Sequence, residues 1–232
     1  MKKAKKIIII VGIVLLVIAI CAAGYLYYES INYYKTDNAS VSAHMVNVVP
    51  MVTGTVTSWD VGEGDIVKQG QVLGKQDVFS LVNTSKVDQT ALENSSTSIL
   101  AKAEIRSPID GEIVQSNVLK GSTATVGSTV AVVADTSDMF IKANIEETNI
   151  FKIKEQQKVS INIDAYPGKT FTGYVEFIGT STQSAFSQFG SINTSGTYSK
   201  VVQLIPVRIS IVNDENLPML IGMNATVKIS IK

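Results

Sequence analysis

The pattern of apolar and polar positions changes period along this chain. Residues 7–28 (IIIIVGIVLLVIAICAAGYLYY) are one apolar run, with no charge before Glu29. As a helix rising about 1.5 Å per residue, that run covers the roughly 30 Å hydrocarbon core of a bilayer. Beyond it the pattern is short and alternating. Residues 41–49 (VSAHMVNVV) alternate weakly and predict a strand. Further strands are predicted at Thr55–Trp59 and Val72–Lys75, with a turn at Glu63-Gly64-Asp65. After Asp135 three segments are apolar at every second position: 139–145, 158–165 and 171–179. Glu146 to Ile153 reads as a short helical or turn segment, and Tyr166-Pro167-Gly168-Lys169 as a turn. Residues 181–200 are rich in Ser, Gly and Asn and read as a loop, and 213–218 as a turn. The fold class that follows is mainly β, behind one helix of membrane length.

Within the β region one stretch occurs twice. The first copy runs from Pro50 to Leu73 and the second from Pro108 to Val130. Gly54, Gly64 and Gly70 match Gly111, Gly121 and Gly127, with spacings of ten and then six residues in both copies. Val56 and Val61 fall on Ile113 and Val118 at the same offset, while the leading prolines miss it by one. Glycine suits the positive φ of tight turns because it has no Cβ. Neither copy buries an apolar face well alone. Two copies related by a pseudo-twofold can close a small barrel or sandwich.

Between the copies lies DVFSLVNTSKVDQTALENSSTSILAKAE. One reading is a short α-hairpin, with helices over Val78–Glu93 and Ser98–Glu104 and a turn at Asn94-Ser95-Ser96. Its apolar positions are too few for a coiled coil. The other reading is a polar Ser/Thr/Asn loop. Phe186 and Phe189, in the later loop, are either packing anchors or contacts in an assembly, and Asn94, Ser95 and Ser96 are further candidate assembly contacts.

Charge orients the helix. Lys2, Lys3, Lys5 and Lys6 precede the apolar run, which predicts a cytoplasmic N-terminus and an extracytoplasmic remainder. Tyr25, Tyr27, Tyr28, Tyr33 and Tyr34 suit the far interface, where aromatic rings sit half wet. The competing reading is a cleaved signal peptide. The run is long for one, and the tyrosines continue past the small residues Ala22–Gly24. Ile20 stands where a lipoprotein signal needs a small residue before Cys21.

Composition removes whole classes of chemistry. The chain has 232 residues and formal net charge +0, so no basic stripe points to nucleic acid. One cysteine and one histidine exclude a disulfide framework and a cysteine-ligated metal site within one chain, and argue against a histidine-based one. His44 reads as a polar strand residue. There is no P-loop, no Gly-x-Ser-x-Gly and no Cys/His pair. Glu63, Asp65, Asp110 and Glu112 fall at β turns, where solvated turn residues are expected. No catalytic, cofactor or metal residues are assigned, and the chain is read as no enzyme.

VGEGDIVKQGQVL and IRSPIDGEIVQSNVLKGSTATVGSTV resemble the two halves of a biotinyl/lipoyl-type domain. In carriers of that fold, a lysine at the hairpin between the halves takes the cofactor. Lys75 and Lys86 are the nearest lysines here, and neither has that context. Split halves with an insert are instead similar to membrane fusion proteins of the HlyD/EmrA type, with a shortened helical hairpin. ANIEETNIFKIKEQQKVSINIDAYPGKTFTGYVEFIG resembles their β-barrel, and SGTYSKVVQLIPVRISI the segment after it. TDNASVSAH (36–44) and LIGMNATVKISIK (220–232) resemble their first and closing soluble strands.

The resemblance implies this division: a basic tail (1–6), a transmembrane anchor (7–28), and a linker with the first strand of a membrane-proximal domain (29–49). The lipoyl-like halves are 50–75 and 105–135, and the insert is 76–104. A β-barrel (136–205) and membrane-proximal closing strands (206–232) follow. It also implies the function: the single-pass adaptor of an efflux or secretion transporter, forming an extracytoplasmic collar. Expected partners are an integral-membrane exporter, major-facilitator type before ABC type, and further copies of the chain. A hairpin this short is not expected to reach an outer-membrane channel. The rival readings are a surface-anchored structural or binding protein and a cofactor carrier.

Overall fold

The computed structural model describes residues 2–77, 102–186, 202–213 and 215–231. The candidates Asn94, Ser95, Ser96, Phe189 and Lys86 lie outside them, as do both helices of the hairpin reading up to residue 101. Helix α1 spans Lys2–Asn32. Among the described residues it is the one helix long and apolar enough to cross a membrane. The strands are β1 Tyr33–Val48, β2 Gly54–Trp59, β3 Ile66–Val67, β4 Val72–Asp77, β5 Glu104–Arg106 and β6 Gly111–Ser116. They continue with β7 Thr123–Ala124, β8 Ala131–Glu146, β9 Lys158–Ile163, β10 Phe171–Ile178, β11 Leu204–Val212 and β12 Asn224–Ser230.

Several bounds differ from the sequence reading. No linker follows the helix, because residues 29–32 are helical and β1 starts at Tyr33. Glu104 is not the end of a helix but the first residue of β5, paired with Lys75. The segment from Glu146 to Ile153 contains a 3-10 turn at Ile150–Lys152.

The chain folds as two units, residues 1–42 with 140–232, and residues 43–139; β1 and β8 contribute to both. In the first unit the strand order is β1-β12-β9-β10-β11-β8, and β1 also pairs with β8, which closes a barrel. Alternation explains its filling. β9 reads KVSINI, and its Val159, Ile161 and Ile163 are buried while the residues between them are exposed. Val227 and Ile229 of β12, Val175 of β10, Ile209 of β11 and Ile141 of β8 complete the interior. β11 and β12 pair into the same sheet as β9 and β10, so the sheet runs across position 205 without a break.

Gly173 of β10 occupies an inward position. A Cβ there would lie 2.2 Å from the Ser210 carbonyl oxygen and 2.6 Å from Ile161 Cδ1. The strand pattern marked 171–179 as a strand but not this close approach. An isolated glycine at an inward strand position is the signal that would have found it.

Candidate functional site

The second unit is built from the duplicated stretch, and its hydrogen bonds come in matched pairs. Gly64 N–H donates to the Ile113 carbonyl at 2.8 Å, and Gly121 N–H to the Val56 carbonyl at 2.7 Å. Ile113 N–H donates to Asp65, and Val56 N–H to Ser122. Each bond maps onto its partner by the offset that takes Gly54 to Gly111. The strands follow: β3 of the first copy pairs with β6 of the second, and β7 of the second with β2 of the first. Each copy thus completes the other, which is a pseudo-twofold written in backbone pairing.

The core has the same symmetry. Val48 and Ile105, Val56 and Ile113, Val67 and Ala124, and Leu73 and Val130 are buried equivalents. Trp59 and Ser116 are equivalents too, and they meet: Trp59 Nε1–H donates to Ser116 Oγ at 3.0 Å. Two equivalent residues in contact lie at the pseudo-axis. A buried or half-buried hydrogen bond is worth about 1 kcal/mol net. Ser116→Ala is expected to cost about that much, and Trp59→Phe with Ser116→Ala less than the sum of the two single losses. Thermal unfolding followed by circular dichroism checks both expectations.

The turn glycines fall into two kinds. Gly64 and Gly121 both have φ +91°, and Gly70 and Gly127 have φ +78° and +88°, so both copies use the left-handed region at the same places. Gly54 and Gly111 are instead sites of close approach. A Cβ on Gly54 would meet the Asp77 carbonyl at 2.8 Å, and one on Gly111 the Ala134 carbonyl at 2.2 Å. The turns are capped by different side chains doing the same job. Asp65 Oδ2 accepts from Gly62 N–H, and Ser122 Oγ from Leu119 N–H. Gln71 and Ser128 repeat this at Lys68 and Thr125.

Like Asp65, two further turn carboxylates accept backbone N–H groups. Glu63 accepts from Ser116 N–H at 3.1 Å, and Asp110 from Gln69 N–H at 2.6 Å. His44 is an exposed residue of β1. Among the described residues no group of three His, Cys, Asp or Glu could hold a metal ion.

The insert leaves and returns through neighbouring strands. β4 and β5 are antiparallel, and Lys75 pairs with Glu104 at 3.7 Å. Lys75 therefore sits inside a strand, opposite Ser58 and Glu104, and not at the exposed hairpin tip a carrier lysine needs. Gln76, at this root, is buried and donates Nε2–H to the Ala124 carbonyl at 3.2 Å.

In the first unit, α1 is joined firmly to the barrel. Asn32 is buried, donates Nδ2–H to the Tyr28 carbonyl, and accepts Ile231 N–H at 2.8 Å. Glu29 pairs with Lys228, whose Nζ lies 4.4 Å from the centre of the Tyr33 ring. The hydrogen bond to the Glu29 carboxylate pushes the Lys228 ammonium above its ordinary pKa. Tyr25, Tyr27 and Tyr28 are more than half exposed beside this joint.

A polar cleft of about 560 Å³ lies on the same unit, lined by Tyr34, Asp37, Asn38, Asn144 and Glu146 among others. A β-bulge lies between Thr36 and Ala39, in the strand that lines it. Gln183 donates to Asn144, and Asn144 to Asn38 at 2.9 Å. Burial pushes the Tyr34 hydroxyl up. Gln183 belongs to a short 3-10 helix, Gln183–Phe186, which contains the candidate Phe186.

Comparison with known proteins places these two units among described domains. Residues 44–136 match the family model "RND MFP, barrel-sandwich hybrid domain", and residues 139–229 the "YknX-like beta-barrel domain". YhbJ of Bacillus subtilis, named as an efflux system component, is 39% identical over 204 residues, covering 87% of this chain and 81% of YhbJ. The multidrug export protein EmrA of Haemophilus influenzae is 34% identical over 160 residues, covering 65% of this chain and 41% of EmrA. This chain thus spans less than half the length of that EmrA. Among solved structures, a MacA–MexA chimeric protein carrying the Pseudomonas aeruginosa MexA α-hairpin domain shares the fold. Its TM-score is 0.64 at 22% identity, over 87% of this chain and 82% of that one.

Proposed function

Because this chain belongs to the membrane fusion proteins, the adaptor subunits of efflux systems, we propose that it is the membrane-anchored adaptor of an exporter, with its β units in an extracytoplasmic collar. The observation that carries this is the duplicated barrel-sandwich unit sharing one chain with a β-barrel that is joined directly to an apolar helix. A single helix has no path for substrate through the membrane, and the chain carries no nucleotide-binding loop. Substrate passage and energy come from a multi-span partner. Likeness to EmrA favours an exporter of the major-facilitator type over an ABC type. The N-terminal lysines favour a cytoplasmic N-terminus. Residues 78–103 separate β4 from β5, and a hairpin of that length reaches about 20 Å. That length favours a short collar with no contact to an outer-membrane channel.

Affinity purification from membranes in mild detergent, followed by mass spectrometry, tests the reading. A multi-span exporter is expected at near-stoichiometric yield. Recovery of this chain with no multi-span protein would overturn it. A C-terminal alkaline phosphatase fusion is expected to be active, which tests the orientation separately.

A further inference from the structure

Both ends of the loop between β8 and β9 are held at the level where α1 enters the barrel. On one side, a hydrogen bond joins the Tyr34 hydroxyl to the backbone of Glu146, the last residue of β8. On the other, Val159 of β9 lies opposite Ile229 of β12, and Ile229 lies opposite Tyr34. Residues 147–157 therefore close the barrel end from which the helix departs. The described residues between 12 and 31 are exposed, apart from half-buried Glu29, so α1 does not lie against the barrel or cover this end.

The loop displays one side chain on a fixed turn. Ile150 and Ile153 are buried, while Phe151 between them is 91% exposed, the most exposed large apolar side chain among the described residues. Lys152 N–H donates to the Asn149 carbonyl at 3.0 Å and Ile153 N–H to the Ile150 carbonyl at 2.9 Å. Asn149 Nδ2–H donates to the Glu146 carboxylate at 3.2 Å, and Gln157 Nε2–H to the Lys152 carbonyl at 3.3 Å. Val202 is also exposed, and the next residue, Gln203, accepts the Glu147 N–H. The Phe151 ring gains no burial from its own fold.

The helix sets the height of this end above the membrane. The apolar run ends at Tyr28, and residues 29–32 stay helical up to the first residue of β1. Those residues lift the barrel end about 6 Å above the hydrocarbon. The headgroup layer is about 5–7 Å thick on each face. The Ile231 bond to the Asn32 carbonyl and the Glu29–Lys228 pair remove the slack that a linker would give.

We propose that Phe151 is a second membrane contact, its ring dipping into the face of the bilayer from which β1 emerges, with Val202 beside it. This rests on the reading of α1 as a membrane anchor and needs neither an exporter nor a second copy. The height is set by the chain itself, which selects lipid as the occupant whatever else is bound. Aromatic rings favour this depth. Glu147, Lys152, Lys154 and Glu155 balance in charge, so the contact is apolar rather than electrostatic. A helix alone leaves the barrel free to tilt over the membrane. Helix and loop together fix its tilt.

Trp59→Phe removes the only tryptophan. In that background Phe151→Trp puts a reporter on the loop. Leu220→Trp puts one at the opposite barrel end, next to β12 where Asn224 faces Ser40, on a side chain 66% exposed. Each full-length variant is reconstituted alone into phosphatidylcholine liposomes, with and without bromine on the upper acyl carbons. Bromine is expected to lower the emission of the Phe151→Trp variant about twofold and to leave the Leu220→Trp variant unchanged. High salt is expected to change neither, because screening does not touch an apolar contact. If Trp59→Phe fails to fold, the same two substitutions in the native chain, read against its own emission, give the comparison. Equal emission with and without bromine for Phe151→Trp overturns the proposal. So does quenching lost in high salt, or shielding from aqueous iodide in native membranes but not in liposomes, which is the outcome if a protein covers the loop. Carbonate washing checks the anchor separately. A chain retained but unquenched sinks the loop contact and leaves the adaptor reading standing. A chain washed out sinks the anchor reading, and this proposal with it.

Discussion

Gly111→Ala is expected to cost the duplicated unit about 3 kcal/mol, and Gly54→Ala only about 1 kcal/mol, although the two glycines are equivalent. A Cβ on Gly111 would lie 2.2 Å from the Ala134 carbonyl oxygen and 2.8 Å from its carbon, with Val133 Cγ1 at 3.1 Å. The obstacle is backbone, and it belongs to the strand that β6 pairs with, where Glu112 faces Ala134. Only a shift of β6 away from β8 makes room, and that breaks ladder hydrogen bonds. At Gly54 the nearest atom is the Asp77 carbonyl oxygen at 2.8 Å, followed by Gln76 Cβ at 3.1 Å. A few tenths of an ångström relieve most of that. Trp59 is the only tryptophan in the chain and packs against this unit's core, so its fluorescence reports the unit alone. With a slope of about 2 kcal/mol per molar urea, Gly111→Ala is expected to lower the midpoint by about 1.5 M. Equal shifts for the two variants would contradict the account.

The contrast between those glycines marks how far the sequence could be read. The spacing of Gly54, Gly64 and Gly70 exposed the repeat, because positive φ and close approach tolerate few other residues. The capping residues did not, since Asp65 and Ser122 satisfy equivalent N–H groups with different chemistry. Recognition by identity fails where a hydroxyl replaces a carboxylate. The joint between α1 and β1 was also hidden. Glu29, Ser30 and Asn32 are polar, and together they read as a linker. They stay helical and ordered through partners at the far end of the chain, Lys228 and Ile231. No local pattern carries a contact that long. After Asp135 the alternation predicts a strand only over 139–145, whereas β8 spans Ala131–Glu146. In the structure Asp135 Oδ1 accepts the Ser137 N–H at 3.0 Å within a strand that runs on to Glu146.

Ile161→Ala is expected to cost the barrel about 4 kcal/mol. Ile161 is fully buried in β9 and is paired on both sides, with Phe171 of β10 and Val227 of β12. Its side chain fills the space above Gly173, since Cδ1 stands 2.6 Å from where a Cβ on Gly173 would be. Truncation therefore removes buried methyl groups and leaves a cavity that two paired strands hold open. The obvious repair is Gly173→Ala, which puts a carbon back into that cavity. It is expected to fail. The Ser210 carbonyl oxygen lies 2.2 Å from the same Cβ, and it is fixed by the pairing of β10 with β11. The double variant should be less stable than Ile161→Ala alone, yet more stable than the two single losses added together, because one of the two clashes has gone. Denaturation followed by circular dichroism gives the cycle, and hydrogen exchange in β9, β10 and β12 locates it. Recovery of stability by Gly173→Ala would show that the Ile161 methyl, and not the neighbouring strand, sets the limit at this glycine.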